Sequence, residues 1–340
     1  MLSVIVAVHN QIGHNQLFLQ GIRQYTTGPY EVIVIDNHST DGSAEFFESQ
    51  GCRVIRNASN LCYPESMNMG TRNSSGEYVC HINNDLYVGP NWNVRLIDAM
   101  ERFRLDAITP LGLEMMPTPA LTDWIQARWA TIGQGRLSSG KTAAQLHDKI
   151  RAMYGDWEAF CGHVYQSFSQ VIFDGLNGSC VMIRRSTLEK IGFLDERVQS
   201  ADWDLYYTLR KREEELGDVR RCKIFGGCYV HHFIRATVKS KREPFACTHP
   251  RLSIHEKWSR EEQERLWYKS NYFRPFSARH SFGELIHRHV GKPFEKLVRE
   301  FQRAVSWRWL YVRPELIVEL HRRQFQALGA GASQTGGSSS

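Results

Sequence analysis

Tyr78-Val79-Cys80-His81-Ile82-Asn83-Asn84-Asp85 is the stretch whose reading decides the fold. Val79, Cys80 and Ile82 suit a buried strand, and the run then stops in Asn-Asn-Asp. Asn and Asp are common turn residues, so a plain strand-to-loop turn is one reading. A carboxylate flanked by amides at the carboxyl end of a strand has a second use. It can hold a divalent cation through oxygen while the amides meet a phosphorylated ligand. These residues alone do not separate the two readings; the rest of the chain does.

The same kind of ending recurs upstream. Ser3 to Val8 is apolar, β-branched and followed by His9-Asn10. Glu31-Val32-Ile33-Val34-Ile35-Asp36 ends on another carboxylate, and a polar turn from Asn37 to Ser43 leads into a helix, with Asp41 read as its cap. Arg53-Val54-Ile55 is a short third strand. Continuous rather than alternating apolar runs indicate strands buried on both faces. Helices over 13–25 and 92–103, and a polar loop and helix over 60–73, lie between them. This alternation predicts an α/β fold with a mainly parallel central sheet. Ligands of such sheets bind beyond the carboxyl ends of the strands. Here three such ends present His9-Asn10, Asp36-Asn37 and Asn83-Asn84-Asp85, a converging polar set.

Downstream, Asp106 to Pro110 reads as another strand. Over about 113–172 large side chains such as Trp124, Trp129, Trp157 and Phe160 are spread through polar sequence, which predicts a helical insertion. Strand patterning resumes at Gly178–Arg185 and ends at Gly226–His232, with a helix over Asp202–Glu215 between. The expected organisation is one domain over 1–238, a helical C-terminal region over 239–328 and a flexible Gly/Ala/Ser tail over 329–340. In the second region Pro293 and Pro314 each open a helix.

Composition narrows the class. The chain has 340 residues, 42% hydrophobic and 23% charged, as a globular protein does. No apolar run is long enough to span a bilayer. Leu2 to Val8 lacks a basic leader and a cleavage site, so it reads as a strand rather than a signal peptide. The eight cysteines include no Cys-x-x-Cys pair, so neither a zinc site nor a disulfide framework is expected, and a reducing cytoplasm is the simplest compartment. Charge is uneven: residues 239–328 carry 19 Lys/Arg against 10 Asp/Glu, whereas residues 1–238 carry 23 against 26. The basic surplus fits either a solvated helical surface or an anionic partner such as a membrane surface. No nucleic-acid-binding motif accompanies it, so no nucleic acid is expected. Peripheral contact with the inner face of a membrane, or self-association, is the expectation for the C-terminal helices, with Trp307, Arg308, Trp309 and Arg313 as the interface.

The ordered set of motifs resembles the family 2 glycosyltransferases of the GT-A fold over residues 2–112 and 173–238. The resemblance is carried by Ser-Val-Ile-Val-Ala-Val-His-Asn at 3–10 and Val-Ile-Asp-Asn-His-Ser-Thr-Asp-Gly-Ser at 34–43. Asn-Asn-Asp at 83–85 stands where the family has Asp-x-Asp. Gly-Ser-Cys-Val-Met-Ile-Arg-Arg at 178–185, Ile-Gly-Phe-Leu-Asp-Glu at 191–196, Asp-Trp-Asp-Leu at 202–205 and Val-His-His at 230–232 follow in order. Asn before the metal-binding Asp is most like the rhamnosyltransferase-like branch.

The resemblance implies a transferase for a nucleotide-diphosphate sugar, with UDP and dTDP sugars preferred, acting on a hydroxyl of a glycan, lipid-linked or protein acceptor with inversion. Such an enzyme serves polysaccharide biosynthesis. Asp36 would accept a hydrogen bond from base or ribose, with Ala7 and His9 lining the base pocket. Asp85 would bind Mn²⁺ or Mg²⁺ across the diphosphate, with Asn83 and Asn84 beside it; Asn83 departs from the family acid and brings no charge. His231 or His232 matches the family's late histidine, and adjacent strand residues face opposite ways, so one of them serves as metal ligand; His231 is preferred. Asp202 matches the acid that deprotonates the acceptor, although Ala201 replaces a common Glu and Asp204 is a rival. A helix start also attracts acids for purely structural reasons. Asn177, Gly178 and Trp203 would frame the sugar or acceptor, with Trp203 equally suited to a core. A catalytically silent nucleotide- or glycan-binding module, or a nucleotidyltransferase, is the alternative. The second lacks the Gly-rich phosphate loop it would need after the first strand.

Overall fold

The computed structural model describes residues 1–134, 142–233, 244–267 and 318–319. The chain begins β1 (Leu2–Val8), α1 (Ile12–Tyr25), β2 (Tyr30–Asp36), α2 (Ser43–Ser49), β3 (Arg53–Arg56), α3 (Tyr63–Arg72) and β4 (Tyr78–Ile82). It continues through β5 (Leu86–Val88), α4 (Trp92–Phe103), β6 (Ala107–Leu111), α5 (Pro119–Gln134), α6 (Ala143–Tyr154) and α7 (Trp157–Phe168). Then come β7 (Ile172–Asp174), β8 (Cys180–Arg184), α8 (Arg185–Ile191), α9 (Ala201–Glu215) and β9 (Lys223–His232), followed by the short α10 (Ile254–Lys257) and α11 (Arg260–Leu266).

The strands form one sheet in the order β3-β2-β1-β4-β8-β6-β9-β5, with β7 also paired to β9. β1 pairs in parallel with β2 and β4, β2 with β3, and β6 with β9. β8 runs antiparallel between β4 and β6, while β5 and β7 run antiparallel to β9. Six of the nine strands therefore point one way, which matches the mainly parallel sheet expected. The three-residue strands β5 and β7 carry no apolar run long enough to be read in advance.

Both faces of the sheet are covered, which is why its strands are apolar throughout. Along β1, Val4, Val6 and Val8 join a core with Leu17, Phe18 and Ile22 of α1 and Trp92, Leu96 and Met100 of α4. Ile5, facing the other way, joins Ile33, Ile35 and Met67, and Leu205, Tyr206 and Leu209 of α9. The described residues of 113–172 are mostly helical, and their buried apolar side chains belong to the first core. α6 packs on α1 and α7 on β9, so Leu146, Ile150, Phe160 and Val164 are buried. No helix among the described residues is long and apolar enough to cross a membrane.

One expectation is corrected. Cys62, at the start of α3, is disulfide-bonded to Cys247, 185 residues away, with Cα atoms 5.4 Å apart. Local cysteine spacing cannot register a contact made only by the tertiary fold. The segment carrying Cys247 is strapped along α3: Ala246 N–H donates to Asn60 O at 2.8 Å, and Thr248 N–H to Glu65 Oε1 at 2.8 Å. The helices expected after Pro293 and the Trp307–Arg313 cluster lie outside the described residues, apart from 318–319, which are helical.

Candidate active site

The carboxyl ends of β1, β2 and β4 meet at one rim of the sheet. The residues after them help line a cavity of about 550 Å³. Ala7, His9, Asn83, Asn84 and Asp85 all line it. The far wall is supplied by Asn177, Gly178, Asp202 and Trp203, from the turn before β8 and the start of α9. All but two of the site residues expected from the sequence thus reach one space, and the exceptions are His231 and Asp36.

Asp85, 4% exposed, sits between β4 and β5. β5 pairs antiparallel with β9 so that Leu86 lies opposite His232, and Phe233 N–H donates to Asp85 O at 3.0 Å. This register sets His232 Nε2 3.2 Å from Asp85 Oδ1. His231 faces the other way. It is fully buried, its Nδ1 is 2.8 Å from the Tyr154 hydroxyl, and its ring packs edge-on to Trp129 and Phe233. The preference for His231 is therefore corrected: alternation along the strand leaves one histidine per face, and the register of β5 on β9 turns His232 to the acid.

Burial would lower the His232 pKa, but Asp85 and Glu114 outweigh it and raise the imidazole to about 10. Burial likewise pushes the Asp85 carboxyl up, yet His232 and then His14 hold it below its usual value, so it is ionised. Glu114, past the end of β6, accepts a hydrogen bond from His232 Nδ1 through Oε1. Sequence reading missed it, because nothing local marks a lone Glu in an apolar stretch.

Asp202 lies in the first turn of α9 and is pressed against Gly178. A Cβ on residue 178 would stand 2.0 Å from Asp202 Oδ2. Burial raises the Asp202 pKa, against the opposing pull of backbone N–H groups of its own helix start. The rival Asp204 is 3% exposed and occupied: it accepts from Trp258 Nε1 at 2.8 Å and Lys257 Nζ at 2.9 Å. It ties α10 to α9 and does not line the cavity.

On the nucleotide side, His9 Nδ1 is 2.7 Å from Asn37 O, which fixes its ring. Asn84 Nδ2 donates to Asn15 Oδ1 at 2.7 Å, which holds its side-chain amide, and Asn83 backbone N–H donates to Ser179 O at 2.9 Å, which holds its main chain. Asp36 lies behind the wall that its neighbour Asn37 lines. Its Oδ2 accepts from Ser39 N–H at 3.2 Å, while its buried Oδ1 has no partner among the described residues. The buried Oε1 of Gln11, which lines the cavity, is in the same condition. Gly42 is the residue that precedes α2, and Asp41, one position earlier, accepts from Ser43 N–H at 3.1 Å and from Ile12 N–H at 2.9 Å, so it ties the starts of α2 and α1 together rather than capping α2 from the cap position. On the acceptor side, Asn177 Oδ1 accepts from the Ser179 hydroxyl at 2.6 Å. Trp203 stacks on Trp267 with ring centroids 4.9 Å apart.

An oxygen and a nitrogen 3.2 Å apart, as in Asp85 and His232, can both reach one ion at about 2.1 Å, so this pair fits a divalent cation. Glu65, Glu196 and His249 also bring donor atoms within 4.8 Å of one another. They do not line the cavity, and both acids are already engaged, Glu65 by Thr248 and Glu196 by Asn68 and Arg72.

The sheet is covered on both faces and presents an acid, a histidine and two asparagines at the carboxyl ends of its strands, the arrangement expected of a GT-A glycosyltransferase fold. Residues 3–192 match the family model described as glycosyl transferase family 2, and the chain belongs to that family. It is 30% identical over 103 residues to an uncharacterized glycosyltransferase of Haemophilus influenzae, across 30% of this chain and 35% of that one. The match thus spans about a third of that relative's length. Among solved structures, a mannosyltransferase from Pyrobaculum calidifontis in complex with GDP-Man and Mn²⁺ has a TM-score of 0.45 at 14% identity, over 68% of this chain and 56% of that one. S. aureus TarS 1-349 in complex with UDP-GlcNAc has a TM-score of 0.44 at 16% identity, over 78% and 65%.

Proposed function

We propose that this chain moves a sugar from a nucleotide-diphosphate sugar to a hydroxyl of a glycan, lipid-linked or protein acceptor, with inversion and with help from a divalent metal. The observation that carries the reading is that Asp202 and the Asp85–His232 pair open onto the same cavity. Inverting transfer needs a base on one side of the anomeric carbon and charge stabilisation on the other. Asp202 takes the acceptor hydroxyl proton as the new C–O bond forms. The bond to the diphosphate breaks, and its electron pair leaves with the phosphate oxygen. Burial that raises the Asp202 pKa also makes it a stronger base.

Asp85 and His232 would hold Mn²⁺ or Mg²⁺, which supplies Lewis-acid neutralisation of the leaving diphosphate. Binding requires His232 to give up its proton, so metal affinity rises with pH. Gln11 Oε1, a buried acceptor in the cavity wall with no partner among the described residues, suits a ligand that brings N–H or O–H groups. A pyrimidine imide is one such group, and UDP or dTDP sugars are the donors proposed. Asn177, Gly178 and Trp203 frame the sugar or acceptor.

The test is nucleotide release from UDP-, dTDP- and GDP-sugars with Mn²⁺, Mg²⁺ or EDTA, for wild type and Asp85→Ala. Release from one donor, lost in EDTA and in the variant, is expected. Release indifferent to EDTA would remove the metal from the reading, and no nucleotide binding by calorimetry would favour a silent module.

A further inference from the structure

Glu114 stands in the cavity wall without a role so far. β6 ends at Leu111, and the chain then reverses within four residues. Gly112 N–H donates to Met115 O and Met115 N–H to Gly112 O, each at 3.2 Å. Glu114 lies inside this reversal and lines the cavity. Its Oε1 accepts from His232 Nδ1, and its buried Oε2 has no partner among the described residues. A Cβ on residue 112 would stand 2.7 Å from Asn177 Nδ2 and 3.0 Å from Glu114 Oε2, so only glycine lets the reversal seat Glu114 this close to the site.

We propose that Glu114 is a positioning residue: it holds Nδ1 of His232 so that Nε2 is the nitrogen turned to Asp85 and to the metal they share. The inference rests on the metal reading above. A histidine ring can turn about its side-chain bonds and can carry its proton on either nitrogen. An acceptor fixed at Nδ1 removes both freedoms and raises the basicity of Nε2, and loss of such a partner costs about 10–100-fold in metal affinity. Asp85, fixed by its place between two paired strands, needs no comparable help.

The experiment titrates Mn²⁺ alone into the full chain, following free Mn²⁺ by its magnetic resonance signal, for wild type, Glu114→Gln and Glu114→Ala. Thermal unfolding of each in EDTA reports folding apart from metal. About 10–100-fold weaker Mn²⁺ binding is expected for Glu114→Ala. Glu114→Gln should fall between, since its amide oxygen still accepts from Nδ1 without the charge. In transfer assays the Mn²⁺ needed for half-maximal rate should rise while the rate at saturating Mn²⁺ recovers. Equal Mn²⁺ affinity in wild type and either folded variant would overturn the role of Glu114 and leave the metal site standing. A wild type that binds no Mn²⁺ would overturn both. Should Glu114→Ala not fold, Glu114→Gln decides alone.

Discussion

Replacing Gly178 with alanine should disable the proposed base without touching it. The added Cβ would lie 2.0 Å from Oδ2, 2.7 Å from Cγ and 2.8 Å from Cβ of Asp202. Comfortable non-bonded contacts begin at about 3.5 Å, so the carboxylate must retreat by about 1.5 Å at Oδ2. Rotation alone does not clear the clash, because the Cβ of Asp202 is also too close and belongs to the first turn of α9. The helix start has to shift or the carboxylate has to leave the cavity. A misplacement of about 1 Å at a reacting group costs about 100-fold in rate. The expected result is therefore a fall in kcat of about 100-fold with the donor KM little changed, measured by steady-state transfer. Overpacking should also cost about 1–3 kcal/mol of stability, read by denaturant unfolding. Asp202→Asn should lose at least as much rate, and the double variant little more, because both changes remove one function. A folded Gly178→Ala protein with wild-type kcat would refute the reasoning, since a displaced base cannot sustain the rate.

Further outcomes follow from the same geometry. Because burial raises the Asp202 pKa, the acid limb of kcat/KM should fall at a pH above the usual aspartate value of about 3.9, with activity present above the limb and lost below it; a profile flat down to that value would exclude Asp202 as base. Asp204→Ala should lower stability by about 1.5–3 kcal/mol, since Trp258 and Lys257 lose a charged acceptor, yet leave saturating kcat near wild type. A large loss of kcat in a folded Asp204→Ala protein would restore Asp204 as the rival base. Asp195 is held far below the usual carboxylate range, first by Arg197 and also by Lys257, against the opposing effect of burial. Its depressed pKa contributes stability that is present above about pH 3.9 and lost as pH falls further. Asp195→Asn should therefore unfold at a less acid-dependent midpoint than wild type, and identical acid-unfolding curves would remove Asp195 as a source of that dependence.

Much of the fold could be read in advance because its signals are local. β1, β2 and β4 are short apolar runs that end abruptly in polar residues, and burial on both faces makes them continuous rather than alternating. The helical character of 113–172 was legible from its spacing, but not that α6 and α7 would complete the main core. β5 and β7 were not legible: three residues hold no period, and only pairing to β9 makes them strands. The site divides along the same line. Asn83, Asn84 and Asp85 stand together in sequence and stay together in space. Asp202 and Asp204 share a helix start, and sequence position could not say which one a lysine and a tryptophan some fifty residues on would occupy.

By itself, the sequence determined the class of sheet, the rim on which a ligand would sit, the family, and an acid and amides at that rim. These depend on side-chain period and residue type, which act over a few neighbours. Tertiary structure alone decided that His232 rather than His231 meets Asp85, and that Glu114, 118 residues before His232, backs it. It also decided that Cys62 joins Cys247 across 185 residues and that Asp36 stands behind its neighbour. The physical reason is register. Strand alternation says that adjacent side chains part, but which of them turns inward is set by the pairing of β9 with β5, a contact that no local pattern contains.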